Sequence, residues 1–255
     1  MLEAEIRCKL CGKPVYHNYL LKNTQSEDDL TSRWFHCSCG CAFNLYKPDK
    51  LKVFTEEYRK QFENLKEIRN RYDWYIRNYV TIVEEKTYGR KFLDVGFCVD
   101  YIIQEMRRRG WVATGIDLIP NDMITGDFET FDFGKEQFDF IWLGDVLQCF
   151  DKPMQALWKA YELLYPSGLI FIVTPNTDLI REGKISAWGH WNIEENRQFF
   201  SLDLLKRMIQ KIDMQMNGNL RIIYADNNYS QRFPSWNNIH LLCQKEKNEG
   251  EDLPV

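Results

Sequence analysis

Apolar residues recur along this chain in two rhythms, and the change of rhythm divides it. Between Lys91 and Gln244, short apolar runs alternate with helical patterns. The runs 91–95 (KFLDV), 111–116 (WVATGI), 138–143 (FDFIWL), 169–174 (LIFIVT), 220–225 (LRIIYA) and 238–243 (NIHLLC) predict strands. Short apolar runs rich in β-branched and aromatic residues, bounded by turn signals, suit strands buried on both faces. Helices are predicted at 99–109, 153–164 and 201–213. Alternating strands and helices predict a parallel sheet covered on both sides. The last two strands have no helical pattern between them and are expected to pair antiparallel.

From Pro48 to Tyr88 the rhythm is helical: Phe54, Tyr58, Phe62, Leu65, Ile68, Tyr72, Tyr75, Ile76 and Tyr79 share one stripe. This predicts one long amphipathic helix, or two shorter ones, packed on the main domain. The segment up to residue 47 has little periodicity, and the tail KEKNEGEDLPV is polar and expected to fray. The expected organisation is therefore residues 1–47 as a small domain, 48–88 as a helical linker, 89–245 as the main α/β domain and 246–255 as a disordered tail.

With 44% hydrophobic and 15% aromatic residues, the chain can build a core without disulfides. The net charge of −4 argues against a protein that works mainly by gripping nucleic-acid phosphates. Arg69, Arg71, Arg77, Arg107, Arg108 and Arg109 could form a basic face, but ordinary solvated helix surfaces are the preferred reading. No apolar run reaches membrane-spanning length, and the N-terminus has no signal-peptide pattern, so a cytoplasmic location is expected.

The first main strand ends in Asp94-Val95-Gly96-Phe97-Cys98-Val99-Asp100 and runs straight into a helix. A tight turn there is where α/β proteins receive nucleotides, and glycine lets the backbone turn and approach a ligand. The second strand ends in Gly115-Ile116-Asp117-Leu118, where an acid can accept hydrogen bonds from both ribose hydroxyls.

The stretch FLDVGFCVDYIIQEMRRRGWVATGIDL resembles the opening of a class I S-adenosylmethionine-dependent methyltransferase. FDFIWLGDVLQCFDKPMQALWKAYELLYPSGLIFIVTPN resembles that family's later motifs, including a Pro-x-Gly turn and a strand ending in Thr174-Pro175-Asn176. The likeness covers about residues 90–215. It implies a Rossmann-like doubly wound fold, with a mostly parallel sheet and an antiparallel last strand. It also implies that Asp94 and Gly96 lie beside the methionine portion of the cofactor, that Asp117 holds the ribose, and that Cys98 and Leu118 belong to the same cofactor site. Asp127 and Phe128 would lie at the adenine, with Leu143, Gly144 and Asp145 at the methionine end. Two of the usual three loop glycines are replaced, by Cys98 and Asp100, and the common Leu-Glu-His-Val reads Leu147-Gln148-Cys149-Phe150.

Five of the eight cysteines lie within the first 41 residues. Cys8-x-x-Cys11-Gly12 forms one knuckle, and Cys37, Cys39 and Cys41 offer a second pair, with His36 in reserve. This resembles a zinc ribbon and implies one structural zinc, because a small segment with few aliphatic residues buries little surface. Which two of the three later cysteines complete the set stays open at this level. Trp34, Phe35 and Phe43 would face a partner or the main domain.

Residues 177–200, with Trp188-Gly189-His190-Trp191-Asn192, have no pattern of their own and are the expected acceptor loop, with His190 as candidate general base. The expected function is methyl transfer from S-adenosylmethionine to an unidentified acceptor, a small molecule or glycan-like compound being favoured. The alternatives are a catalytically silent adaptor with the same fold, and a nucleic-acid methyltransferase.

Overall fold

The computed structural model describes residues 6–15, 20–21, 34–45, 47, 49–63, 65–178, 194–228 and 238–247. Three short strands come first: β1 (Leu20–Leu21), β2 (Trp34–His36) and β3 (Ala42–Asn44). Helices α1 (Lys50–Val53), α2 (Glu56–Lys60) and α3 (Lys66–Tyr75) follow. A π-helical turn over Ile76–Val80 joins α3 to α4 (Thr81–Lys86). In place of the one long helix or two shorter ones expected, the segment is divided into several shorter pieces. Asp49 and Thr55 cap new helix starts through their side chains, accepting from Leu51 N and Tyr58 N. The breaks divide the aromatic stripe. Tyr75, Ile76, Tyr79, Val80 and Val83 are buried against the sheet, while Phe54, Tyr58, Phe62, Ile68 and Tyr72 line a cavity.

The main domain runs β4 (Lys91–Val95), α5 (Tyr101–Arg108), β5 (Val112–Asp117), β6 (Ile124–Thr125), β7 (Phe138–Gly144), α6 (Pro153–Glu162) and β8 (Leu164–Pro175). After it come β9 (Gln198–Phe199), α7 (Leu202–Gln215), β10 (Leu220–Asn228) and β11 (Asn238–Lys245). Seven strands form one sheet in the order β10-β11-β8-β7-β4-β5-β6. All described pairings are parallel except those of β11, which runs antiparallel to both β8 and β10, as the missing helix predicts. Strand β8 begins earlier than its apolar run. The Pro166-Ser167-Gly168 turn is absorbed as an irregularity, where pairing with β7 jumps from Phe138↔Leu164 to Phe140↔Leu169.

The chain enters the sheet at β4, builds outward through β5 and β6, and returns to β7 on the other side of β4. The carboxyl ends of β4 and β7 therefore flank a switch point, where successive connections leave on opposite faces and open a crevice. Ile102, Ile103 and Met106 of α5 cover one face with the α3–α4 residues. Ala156, Leu157 and Ala160 of α6, with Leu204, Leu205, Met208, Ile209 and Ile212 of α7, cover the other. The α7 stripe follows helical spacing, and each such side chain contributes about 1.5–3 kcal/mol on full burial.

The cysteine-bearing segment does not stand apart. Strand β3 pairs with β9, Ala42 opposite Phe199 and Phe43 opposite Gln198, so the small sheet β1-β2-β3-β9 includes a strand from beyond β8. Trp34 stacks on Phe199 with ring centroids 4.7 Å apart, and Phe35 and Phe43 share the core that holds α6 and α7. These aromatic side chains face the main domain.

Candidate active site

A cavity of about 280 Å³ opens at the switch point. One wall is the loop after β4. Gly96 adopts φ +69°, and a Cβ there would stand 2.6 Å from Val146 Cγ2, so the position excludes any side chain. Cys98 also lies in the left-handed region, at φ +48°. A conformation that favours glycine is thus held here by a cysteine. Asp100 is exposed at the start of α5, makes no side-chain cap, and accepts from Gln104 Nε2 at 2.7 Å. It is not among the residues that line the cavity.

Asp117 closes β5. Its Oδ2 accepts from Cys98 N at 2.9 Å and its Oδ1 from Ile119 N at 2.8 Å. Burial raises its pKa against these two donors. Each oxygen keeps a second lone pair for a ligand hydroxyl. Asp94, on the neighbouring strand, is 2% exposed, and its Oδ2 has no hydrogen-bond partner among the described residues. Burial and then the charge of Asp117 push its carboxyl well above the usual range. A buried, unsatisfied carboxyl beside a cavity suits a ligand that brings a cation or a donor.

Among the residues expected at the cofactor, Gly96, Cys98, Asp117, Leu118, Asp127, Phe128, Gly144 and Asp145 all line this cavity. Asp94 and Leu143 do not; both are buried in the adjoining strands. Leu143 is fully covered and packs in the core with α6, because alternation on β7 turns it away from the opening. Asp127 accepts from Glu129 N at 2.9 Å, and Phe128 stacks on Phe150 with centroids 5.8 Å apart. Lys50 of α1 lies among Glu129, Asp127 and Asp151, at 2.8, 3.4 and 3.6 Å.

The opposite wall was not legible as a site. It comes from Phe54, Tyr58, Phe62, Ile68, Arg71 and Tyr72 of the helical segment, and from Glu195 and Asn196 just before β9. The Tyr58 hydroxyl donates to Glu195 Oε2 at 3.4 Å. Arg71, read from sequence as one of several solvated arginines, places Nη1 3.0 Å from Asp145 Oδ2. The neighbouring arginines are spent elsewhere: Arg107 on Ala113 O, Arg108 on Glu105, and Arg109 on Glu84 and Glu105.

The segment carrying Gln148 and Cys149 is structurally engaged. Gln148 Nε2 donates to Asp145 O at 2.6 Å, and its Oε1 accepts from Thr174 Oγ1 at 3.0 Å. Burial pushes the Cys149 thiol up to about 12, and the Cys98 thiol likewise to about 12. Neither thiol is a base near neutral pH. His190, with Trp188 and Trp191, lies outside the described residues.

In the small sheet, the sulfurs of Cys8, Cys11, Cys37 and Cys39 all lie within 4.8 Å of one another. Cys8 and Cys39 are 3.8 Å apart and Cys11 and Cys37 3.5 Å apart. Bonds of about 2.3 Å from a tetrahedral zinc place its sulfurs about 3.8 Å apart, so both the donor chemistry and the spacing fit that ion. Cys41 stands outside this group. It is fully buried, and its thiol donates to Ala42 O at 3.6 Å. The knuckle is tied to the main domain: Gly40 O accepts from Thr177 Oγ1 and Ser201 N, both at 2.9 Å, and Arg207 donates to Cys39 O at 2.5 Å.

The profile of a methyltransferase-domain family matches residues 65–216, which include the β4 loop, Asp117, Asp127 and Asp145. No curated protein matches the sequence. The structure of a Burkholderia thailandensis 1,6-didemethyltoxoflavin-N1-methyltransferase, with bound 1,6-didemethyltoxoflavin and S-adenosylhomocysteine, is similar in fold. It is 13% identical with a TM-score of 0.52, the match covering 81% of this chain and 96% of that one. The CcbJ methyltransferase of Streptomyces caelestis (10% identity, TM-score 0.48, 68% and 90% covered) and the plantazolicin methyltransferase BpumL (14%, 0.47, 74% and 94%) are also similar. With the matched profile spanning more than half of its length and this sheet order, the chain belongs to the methyltransferase-domain family and has the class I methyltransferase fold.

Proposed function

We propose that the chain binds S-adenosylmethionine in the cavity at the switch point and transfers its methyl group to a small acceptor. The observation that carries this reading is the union of the Gly96–Cys98 loop with the Asp117 carboxylate beneath one cavity, in a chain of a methyltransferase-domain family. In it, Asp117 takes the ribose hydroxyls, Asp127 and Phe128 flank the adenine, and Gly96, Gly144 and Asp145 surround the amino-acid end. Asp94 supplies a buried acceptor beneath that end. When bound, the cofactor supplies an activated sulfonium donor. The protein's own part is then to align the acceptor and exclude water, which is worth many kcal/mol without a strong base.

The aromatic wall of Phe54, Tyr58, Phe62 and Tyr72 favours a small planar or sugar-like acceptor that can lie against rings. Glu195 and Tyr58 are the polar groups that would meet it from the β9 side. We assign a structural zinc to Cys8, Cys11, Cys37 and Cys39, holding the second knuckle against Thr177, Ser201 and Arg207. Among the described residues no helix is long and apolar enough to cross a membrane. The test is titration calorimetry with S-adenosylmethionine and S-adenosylhomocysteine, followed by label transfer from methyl-labelled cofactor to a panel of hydroxyl- and amine-bearing aromatic and sugar compounds. Binding of either cofactor form supports the reading, and absence of binding to both removes it. Binding with no transfer across the panel would favour the silent-adaptor alternative.

A further inference from the structure

Glu195 lines the cavity just before β9, and its neighbours in the chain fix it there. Asn196 O accepts from Asn44 Nδ2 at 2.8 Å, Arg197 O accepts from Asn44 N at 3.2 Å, and Arg197 N donates to Gln148 O at 2.9 Å. The end of β3 and the segment after β7 thus grip the backbone beyond Glu195 from two sides. Its carboxylate meets the Tyr58 hydroxyl. Tyr58 in turn stands in a row of three rings with Phe54 and Phe62, at centroid spacings of 5.2 and 4.9 Å. Burial and, after it, the charge of Glu195 raise both the Tyr58 hydroxyl and the Cys149 thiol. The carboxylate is therefore within electrostatic reach of α2 and of the segment after β7 at once.

Among the described residues, the lining carries four carboxylates, Asp117, Asp127, Asp145 and Glu195, and two cations. Both cations face carboxylates: Lys50 lies among those of Glu129, Asp127 and Asp151, and Arg71 beside that of Asp145. It is Glu195 that stands against the ring row. Ring faces attract positive charge, and a carboxylate opposite them attracts it further. That corner receives a flat group that carries or acquires positive charge, and an anion entering it meets like charge.

Resting on the cofactor reading above, we propose that the methyl acceptor is a nitrogen nucleophile borne by a planar ring system, and that Glu195 holds its N–H and takes its proton. The nitrogen lone pair forms the N–C bond while the donor's C–S bond breaks, its electron pair staying on sulfur. Positive charge thus passes from sulfur to nitrogen, where the Glu195 carboxylate stabilises it. The charge is discharged as the N–H proton goes to Glu195 and on to water. An oxygen nucleophile reacts best as its anion, which would have to form against the same carboxylate. A carboxylate accepts at about four lone-pair sites, so Glu195 keeps its present partners while it takes the acceptor N–H.

The test is a binding titration of three flat probes of matched size, 1-methylquinolinium, quinoline and 1-naphthoate, at pH 8, with and without saturating S-adenosylhomocysteine. The proteins are the wild-type chain, Glu195→Gln and Glu195→Asp, each checked for folding by its melting curve. The wild type is expected to bind the cation most tightly and the anion least. Glu195→Gln should weaken the cation by at least about fivefold, the value of a contact between unit charges in water-like surroundings, and leave quinoline unchanged. Glu195→Asp keeps the charge one carbon further back and should retain part of the preference, which separates charge from shape. Equal affinities for cation and anion, a preference that survives in Glu195→Gln, or no binding of any probe overturns the proposal. So does label carried from methyl-labelled cofactor to a phenol in preference to the matching aromatic amine. Each of these leaves the cofactor reading intact as long as S-adenosylhomocysteine binds. A chain that prefers the cation but binds no S-adenosylhomocysteine removes the cofactor reading, and with it the methyl-transfer step.

Discussion

The backbone N–H of Cys98 donates to Asp117 Oδ2 across 2.9 Å, which makes the turn after β4 and the acid at the end of β5 a single unit. Replacing Asp117 therefore loosens the loop and, in the proposed cofactor site, removes the acceptor for the ribose hydroxyls as well. Asp117→Ala is expected to weaken S-adenosylhomocysteine binding by at least about tenfold, since hydrogen bonds to a charged group are worth roughly 1.5–3 kcal/mol. Asp117→Asn is expected to fare little better. Its amide nitrogen would face either the Cys98 or the Ile119 N–H, donor against donor. Calorimetry on the two variants checks this, and wild-type affinity in Asp117→Asn would contradict it.

Gly96 and Cys98 have the same sign of φ but opposite expected responses. Gly96→Ala brings a Cβ against Val146 at a left-handed position, and a loss of about 1–3 kcal/mol is expected. Cys98→Gly relieves left-handed strain worth about 1–2 kcal/mol, partly offset by about 0.5–1 kcal/mol of added chain entropy in the unfolded state. The net is a gain of up to about 1 kcal/mol. Urea denaturation of both variants reads the two signs directly.

Metal analysis of protein purified without chelator is expected to find one zinc per chain. Cys8→Ser and Cys37→Ser should lose it and melt at lower temperature, because the free energy of binding the ion is folding free energy for the two knuckles it ties together. Cys41→Ala should keep the metal, since its sulfur lies outside the group of four, and should lose only about 1 kcal/mol of packing. Loss of zinc in Cys41→Ala together with its retention in Cys37→Ser would reverse the assignment.

His240 gives stability a pH dependence. It is 3% exposed among Trp74, Tyr75, Tyr79 and Phe171, and its Nδ1 is bonded to the Tyr79 hydroxyl at 2.9 Å. Burial lowers its pKa from 6.5 to about 4, with Asp145 and Asp226 opposing the shift and Arg71 assisting it. The unfolded chain takes up the proton first on acidification, so stability is full above pH 6.5 and falls between pH 6.5 and 4. The slope is about 1.4 kcal/mol per pH unit, roughly 3 kcal/mol across the window. His240→Asn, destabilised at pH 7, is expected to close the gap to wild type as the pH falls to 4. A gap that stays constant with pH would contradict this.

The strands 91–95, 138–143 and 238–243 are legible because both of their faces are buried, so apolar residues dominate each run and only Lys91, Asp94, Asp139, Asn238 and His240 interrupt them. Strands β6 and β9 are two residues each, too short for any pattern to emerge. The helical stripe from Phe54 to Tyr79 is equally plain. Periodicity, though, reports only that a face is apolar. It does not separate Tyr79, packed on Phe171, from Tyr58, which lines the cavity. Arg71 carries no local signal either, because its meaning comes from Asp145 on a different element.

By itself, the amino-acid order determined the alternation of strands and helices, the Gly96 turn, the acid at Asp117 and the presence of two cysteine knuckles, all features set within a few residues of one another. The tertiary structure decided the rest. It grouped Cys37 and Cys39 with Cys8 and Cys11, and sent Cys41 into the core. It joined β3 to β9, bringing Glu195 to the cavity, and it replaced a solvated Arg71 with one held by Asp145. Local propensity and spacing act along the chain, whereas these pairings depend on which distant surfaces are buried together. In the same way the loop after β4 is held by an acid of the next strand, through the hydrogen bond from Cys98 N to Asp117.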